Sequence, residues 1–490
     1  MAYFFADSFD LYASVNDMLA SYWDSGSLVG LISLAAPRFV GQSLALGSAS
    51  QSLVKSSGVN DSVHHFTCAF RNTGPLSGTS VNTYFQLADG VINQCAVVFR
   101  SDGAILLTSG GPTGTTLATY PNAVNAQSVW FAFEFEVVVH NSTGSFKVRR
   151  NGNPVDDHST TGIDTAGGTA NNYANKLTVG TQVAPTAYNY IDDFMWRSDA
   201  TTVPWSGDVR CYPRMPVTDA SAQFARTPAT LTQQTFDKNS FDYVTNGLAY
   251  YVPFTASYTG TIATVGTTFN LAATCNMKCA IFASSGTAPT TVLGTATPLA
   301  LSSASSATFT FTPVAVVKGT QYWIGFNADA TVGRYDAATG QQSLSSTTSY
   351  ASFPVASPAT TGDQGLFSLI TITPTTNAGM VSDAQQDGTT TYVYDATPGH
   401  QDFYNLDQIA TPSVQRLGLV TRGFVAKGDA GTRSGTMQLK SGASTVAAPT
   451  LVLSSSFLWS WRTDTLNPAT GTAWTDATAN AVTAGPAVVA

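Results

Sequence analysis

The sequence predicts an all-β chain folded into several domains, and three observations carry that reading. Glutamate and lysine, which long helices place on their exposed faces, are nearly absent: the 490 residues include two Glu (Glu134 and Glu136) and eight Lys. Apolar residues recur with a period of two, most clearly in WFAFEFEVVVH at 130–140, where Phe131, Phe133, Phe135, Val137 and Val139 share one strand face. Apolar runs are short and end at Gly, Asn, Asp or Pro, the residues of turns. At roughly 150 residues per domain, the length corresponds to about three domains.

Composition also excludes several function classes. Only 11% of residues are charged while 43% are hydrophobic, so the surface is built from hydroxyls and amides, and there is enough apolar material to fill cores. A net charge of −8 without a basic cluster gives no electrostatic footprint for nucleic acid. No run approaches 18 apolar residues, and MAYFFADSFDLY has neither a basic leader nor a cleavage site, so neither membrane insertion nor export is expected. The five cysteines (Cys68, Cys95, Cys211, Cys275, Cys279) are odd in number and lack zinc spacing. Cys275 and Cys279 fall on one strand, about 13 Å apart at ~3.3 Å per residue, too far to bridge. Reduced, buried thiols follow, as in a protein folded in a cytoplasm.

Taken in order, strands are expected at 39–46, 65–71, 83–88, 96–100, 105–108, 129–140, 145–150 and 176–180. The strand within SFKVRRNGNPVD ends in Asn151-Gly152, suited to the positive φ angles of a two-residue hairpin. Residues 206–230, SGDVRCYPRMPVTDASAQFARTPAT, are interrupted by proline and leave the first domain. A second β unit at about 236–376 contains GLAYYVPFTA, TIATVGTTFNL, CAIFASSGTAPTTVLG, ATFTFTPV and KGTQYWIGF. From 377 onward come SDAQQDGTTTYVYDATPGHQDFYNL, RLGLVTRGFVAKGDAGTRSGTMQLKSGAST and NPATGTAWTDATANAV.

The order of a long strand at 129–140, a Thr-Gly turn, the Asn-Gly hairpin, LTVG at 177–180 and YIDDFMWRSD at 190–199 resembles a laminin-G or concanavalin A-like jelly roll. The resemblance implies that the closing strand, with its Ile-Asp-Asp-aromatic sequence, pairs with the opening strand FADSFDLY. The unit at 236–376 is similar to β-sandwich modules of surface and cell-wall proteins. The segment from 382, with its Asp-Gly-Thr-Tyr-Val start and Pro-Ala-Thr-Gly-x-Ala-Trp-Thr end, resembles the C-terminal half of tailed-bacteriophage structural proteins. In those proteins the counterpart of 206–228 runs directly into that of 382 onward, so 236–376 reads as an insertion. The expected division is 1–205, a jelly roll; 206–235 plus 377–490, a C-terminal β domain; and 236–376, an inserted β sandwich.

Glu134 and Glu136 share a strand face roughly 7 Å apart, the placement of paired carboxylates in jelly-roll glycoside hydrolases. The Glu-x-Asp-x-x-Glu pattern that those enzymes resemble lacks its third carboxylate here, so the pair is expected to be solvated or hydrogen-bonded on the non-core face, and no catalytic residue is assigned. Both are retained as candidate carbohydrate contacts with Tyr120, Tyr173 and Tyr188; Tyr190 and Trp205 are further aromatics in loop-like settings, suited to stacking on sugar C–H faces. Pairing the first and last strands gathers Asp7, Asp10, Asp192 and Asp193, and the resemblance implies that such a set could hold a structural calcium ion. Adjacent His64 and His65 point to opposite strand faces and share no metal. No phosphate loop, nucleophile elbow or dinucleotide fingerprint is present.

The resemblance implies a non-enzymatic protein of a tailed-phage virion surface, made in the host bacterial cytoplasm. Its expected role is a tail fibre or receptor-binding component with lectin-like glycan binding; the alternatives are a capsid decoration or head-fibre protein, or a glycan-degrading jelly roll. The expected partners are other virion proteins, further copies of the chain, a trimer being the assembly considered, and a host surface glycan. Without a heptad pattern, any trimer must use β surfaces.

Overall fold

The computed structural model describes residues 3–12, 15–19, 22–27, 32–35, 37–39, 41–167, 170–185, 187–201, 203–226, 231–235, 240–270, 274–302, 305–336, 343–363, 368–382, 392–409 and 416–490. The chain is all-β: among the described residues, helix is confined to Val15–Met18, Asn377–Met380 and Asp476–Asn480. No helix among them is long and apolar enough to cross a membrane. Two compact units form, one from residues 1–215, 383–388 and 396–490, the other from 216–382 and 389–395. The C-terminal segment therefore clusters with the jelly roll, and 216–235, expected with the C-terminal domain, belongs to the second unit. Residues 383–391, which include most of the Asp-Gly-Thr-Tyr-Val start, lie outside the described residues.

In the first unit, fifteen strands make a two-sheet jelly roll: β1 Tyr3–Asp7, β2 Ser25–Ser27, β3 Ile32–Ala35, β4 Ser43–Leu46, β5 Ser52–Asp61, β6 Val63–Asn72, β7 Val81–Asp89, β8 Ile92–Arg100, β9 Ile105–Ser109, β10 Thr116–Tyr120, β11 Phe131–Val138, β12 Gly144–Arg150, β13 His158–Ile163, β14 Ala174–Thr181 and β15 Asn189–Asp199. One sheet has eight strands in the order β13-β12-β11-β6-β15-β4-β3, with β1 also on β15; the other is β10-β9-β8-β7-β14-β5-β2. The expected closure is present: β1 pairs antiparallel with β15, with Tyr3 opposite Ser198 and Asp7 opposite Phe194.

The two-residue period settles what each sheet buries. Phe131, Phe133, Phe135, Val137 and Val139 all enter the core, with Phe66, Phe70, Phe146, Phe194 and Trp196 from the same sheet and Phe85 and Phe99 from the other. Across the gap Phe85 stacks on Phe194 (centroids 5.9 Å, 4° between planes) and Phe70 on Phe99 (4.1 Å). Asn151 and Gly152 have φ of 54° and 73°, the left-handed pair that the β12 hairpin turn requires. His64 turns inward, its Nε2 2.8 Å from the Asp61 carbonyl while its Nδ1 accepts from the Trp196 indole; His65 turns outward.

Strand β5 was not expected, because its inward position after Leu53 is Lys55, which broke the apolar alternation. The Lys55 ammonium is buried, donating to the Tyr22 carbonyl at 2.6 Å and to Asp24 at 3.0 Å. Strands β10 and β13, rich in Thr and Ser, also lacked an apolar signal.

The C-terminal strands add a sheet in which Thr483–Val488 lies between Phe403–Leu406 and Ser434–Ser441, and a two-stranded antiparallel ribbon of Leu419–Val425 with Leu458–Asp464. The Pro-Ala-Thr-Gly-x-Ala-Trp-Thr motif makes a tight turn: buried Trp474 donates to the Asp464 carbonyl at 2.8 Å, and Thr475 caps the helix Asp476–Asn480. This ribbon seats on the jelly roll through Arg422. Its guanidinium donates to the Tyr12 hydroxyl at 2.9 Å, lies 3.7 Å from Asp7, and faces the rings of Tyr12, Tyr22 and Trp459. Asp7 also accepts from Tyr12 at 2.6 Å and from the Trp23 indole at 2.9 Å.

The second unit is another pair of antiparallel sheets. The KGTQYWIGF segment supplies Gln321–Ala328, flanked by Cys275–Ser284 and Leu248–Thr255. Ile324 and Phe326 join Val252, Ile281 and Phe309 in the main core, while Trp323 packs on the opposite face with Tyr251, Phe282 and Phe353. All five cysteines are free, and Cys275 and Cys279 share a strand as expected.

Removing one partner of a buried ion pair strands the other. Arg422→Ala is therefore expected to destabilise the first unit by about 3–5 kcal/mol, and pairing it with Asp7→Asn should recover part of that loss. Urea unfolding followed by tryptophan fluorescence measures both; an unchanged midpoint for Arg422→Ala would refute the role given to this contact.

Candidate functional site

The outer face of the eight-stranded sheet carries the polar residues that alternate with the core phenylalanines. Register aligns Lys147, Glu136, His65 and Arg197 in one row across β12, β11, β6 and β15, and Arg149, Glu134, Thr67 and Met195 in the next. The segment after β15, residues 204–211, lies over these rows. The Ser206 amide donates to Glu134 Oε1 and the Gly207 amide to Oε2 at 3.1 Å. Trp205 lays its ring over the Arg149 guanidinium at 4.0 Å and meets His65 edge-on at 4.9 Å. Arg197 donates to the Pro204 carbonyl and the Ser206 hydroxyl.

Burial raises the Glu134 carboxyl above its ordinary value, opposed by the Ser206 and Gly207 amides and by Arg197 and Arg149. Burial, with Arg197 and Arg149 nearby, lowers His65 to about 3, so the ring is neutral. Its Nε2 lies 3.2 Å from Glu134 without hydrogen-bond alignment, and the contact is not an ion pair. Glu136 accepts from the Lys147 ammonium at 2.7 Å. The two glutamates share a face as expected, yet both are buried and engaged by protein donors, so neither presents itself to a sugar.

The acidic residues divide in the same way. Asp192 and Asp193 occupy a β-bulge in β15, where Asp193 takes a φ of 50° and the strand changes neighbour from β4 to β1. Asp192 accepts from the Arg38 amide at 2.8 Å and from the Asp193 amide at 2.8 Å. Asp193 accepts from the Cys211 amide at 2.8 Å and from Arg38, whose guanidinium also holds Asp208 at 2.7 Å and 2.8 Å. Asp10 accepts from the Gln42 amide at 2.7 Å and, with Asp192, Asp193, Phe39 and Cys211, lines a small pocket. Asp7 is instead committed to Tyr12, Trp23 and Arg422. The expected calcium set is therefore not assembled: its oxygens already face N–H and O–H donors, and no group of three or more His, Cys, Asp or Glu among the described residues could hold a metal ion.

Tyr120, Tyr173 and Tyr188 are not brought together. Tyr120 ends β10 and stacks on His158 at 6.0 Å. Tyr173 lies before β14, where its hydroxyl accepts from Asn171 at 3.3 Å. Tyr188 sits beside Tyr190, centroids 6.0 Å apart, and Tyr190 meets Trp130 at 6.4 Å. Arg71 is opposite Tyr190 in the β6–β15 register, its guanidinium 5.5 Å from that ring. Trp130, Arg71, Tyr190 and Tyr188 are half-buried and form a row on the outer face, four residues along β11 from Glu134, roughly 13 Å at ~3.3 Å per residue. Trp130 and Arg71 were not singled out from sequence; each adjoins a core phenylalanine, Phe131 and Phe70, which sets its side outward, but only the register unites them.

No protein-family model matches the sequence, and no curated protein matches it. Among solved structures, the chain is similar to a cellulose-induced protein, Cip1 (11% identity, 42% of this chain and 94% of that one, TM-score 0.27). It is also similar to the CBM2 module of the evolved Dit of Lactobacillus casei BL23 phage J-1 (10% identity, 42% and 92%, TM-score 0.26). A third is the catalytic domain of a glycoside hydrolase family 131 protein from Coprinopsis cinerea (11% identity, 42% and 81%, TM-score 0.24). At these TM-scores none of the three bears on ligand or activity. The class defined by the chain's own topology is a multidomain all-β protein with a jelly roll at its N-terminal end.

Burial, reinforced by the neighbouring Asp193 charge, raises Asp192 from 3.8 to about 8, and burial raises Asp10 to about 6. Between pH 4 and about 8 the folded chain keeps a proton on Asp192 that the unfolded chain has released, so stability falls as pH rises through that window. Asp192→Asn, which keeps an acceptor for the Arg38 amide, is expected to abolish most of the fall. Thermal melts at pH 5 and pH 8 check it; equal pH dependence in the two proteins would contradict the assignment.

Proposed function

We propose that this chain is a non-enzymatic, glycan-binding surface protein of a tailed-phage virion. The observation that carries the binding part is the Trp130–Arg71–Tyr190–Tyr188 row: aromatic faces that can stack on pyranose C–H bonds beside a hydrogen-bond donor, on a rigid sheet. The non-enzymatic part is supported by the glutamates, since hydrolysis needs one carboxyl to give a proton and another to face the sugar carbon or a water. Glu134 is held by two backbone amides and Glu136 by Lys147. The virion part rests on the resemblance of 206–228 and 382–490 to tailed-phage structural proteins, and on a hydroxyl-rich surface with free thiols. On this reading the chain is made in the host cytoplasm, assembles with copies of itself and other virion proteins, and meets the host glycan at the particle surface.

Binding of the whole chain to an array of bacterial surface polysaccharides tests the reading. Loss of a stacking ring worth about 1.5 kcal/mol should weaken binding roughly tenfold in Trp130→Ala and in Tyr190→Ala, while Glu134→Gln binds as the parent and no protein releases reducing ends. Binding unaffected by both aromatic substitutions, or reducing ends lost on Glu134→Gln, would contradict it.

A further inference from the structure

We propose that the row takes an anionic saccharide, a pyranose bearing a carboxylate or phosphate, with Arg71 as the group that recognises the charge; this rests on the glycan-binding reading above. Arg71 differs from most arginines of its unit. Arg38, Arg149, Arg422 and Arg462 each lie within 4 Å of a carboxylate. Arg71 has no such partner among the described residues, and its Nε is buried without a hydrogen-bond acceptor. The Nε has lost water without gaining an acceptor, in a guanidinium 5.5 Å from the Tyr190 ring. An oxyanion from outside would meet the terminal N–H groups, which are not among the buried atoms, since the planar fork of an arginine matches carboxylate and phosphate oxygens.

Two further features favour a specific site over general attraction. The chain carries a net charge of −8, so polyanions are repelled at long range and an anion must be held locally. The row is also positioned before any ligand arrives. A side chain at Gly47 would bring its Cβ within 2.3 Å of the Tyr188 ring, so the glycine lets that ring lie against the strand. Thr73 donates both its amide (3.2 Å) and its hydroxyl (2.8 Å) to the Tyr188 carbonyl, and the Ser128 amide ties the approach to Trp130 onto the Asn72 carbonyl at 2.7 Å. Residues 204–211 fasten at Glu134, His65 and Arg149 and at Asp193 and Arg38, not at the row.

Isothermal titration of the whole chain with three probes tests the proposal: a hexuronate oligosaccharide, the same oligosaccharide with its carboxyls reduced to alcohols, and an oligosaccharide phosphate. The parent is expected to bind at least one charged probe tenfold or more tighter than the reduced one. The tighter of the two charged probes identifies the oxyanion. Arg71→Gln should erase that preference, binding charged and reduced probes alike, and Arg71→Lys should keep part of the preference, which separates recognition from misfolding. Equal binding of charged and reduced probes by the parent, or an undiminished preference in Arg71→Gln, would overturn the anionic assignment and leave glycan binding standing. Failure to bind any saccharide would remove both.

Discussion

Along β11 and β6 every second side chain is spent on the core, and the rest of the first unit depends on that constraint. Because Phe131, Phe133 and Phe135 must meet Phe66, Phe85 and Phe99 between the sheets, Trp130, Glu134 and Glu136 have no choice but to face outward. The same holds on β6, where Phe70 turns in and Arg71 out. A one-residue slip would exchange core and surface, so the register that closes the jelly roll also composes its outer face.

That face is divided by the chain itself. Asp193 in its left-handed conformation bends β15 where β4 gives way to β1, and its carboxylate accepts the Cys211 amide, fastening the returning segment. Arg38 bridges Asp193 and Asp208, and Glu134 takes the amides of Ser206 and Gly207, so residues 204–211 lie over the glutamate rows. The carboxylates that most suggest catalysis thus serve as acceptors for the protein's own donors, backbone amides at Glu134 and the Lys147 ammonium at Glu136, the arrangement that buried carboxylates need. Among the described residues, the aromatic row makes no contact with that segment and stays half-buried.

Much of this architecture was legible in the sequence because it follows from local rules. The period of two in 130–140 and the Asn151-Gly152 turn are each dictated by a few neighbouring residues, while the pairing of first and last strands was implied by the jelly-roll resemblance. What was not legible depends on residues far apart in the chain. Lys55 occupies a core position only because the Tyr22 carbonyl and Asp24 receive its ammonium, and that partnership concealed β5. Arg422 joins the C-terminal ribbon to the jelly roll through Asp7 and Tyr12, more than 400 residues away, so the resemblance suggested a separate C-terminal domain where the contacts group that segment with the jelly roll. Glu134 read as an outward carboxylate, correctly, but nothing local announced the amides that cover it. Arg71 and Trp130 are unremarkable alone and become a site only when β6, β11 and β15 are set in register.

The central claim is that this outer row, and not the glutamate rows beneath residues 204–211, is where the chain meets a saccharide. A crystal structure of the protein soaked with an oligosaccharide that it binds tests this directly. The account requires sugar density against Trp130 and Tyr190 within hydrogen-bond reach of Arg71, with 204–211 in place. Sugar seated on Glu134 and Glu136 with that segment displaced, or found on another surface altogether, would contradict it.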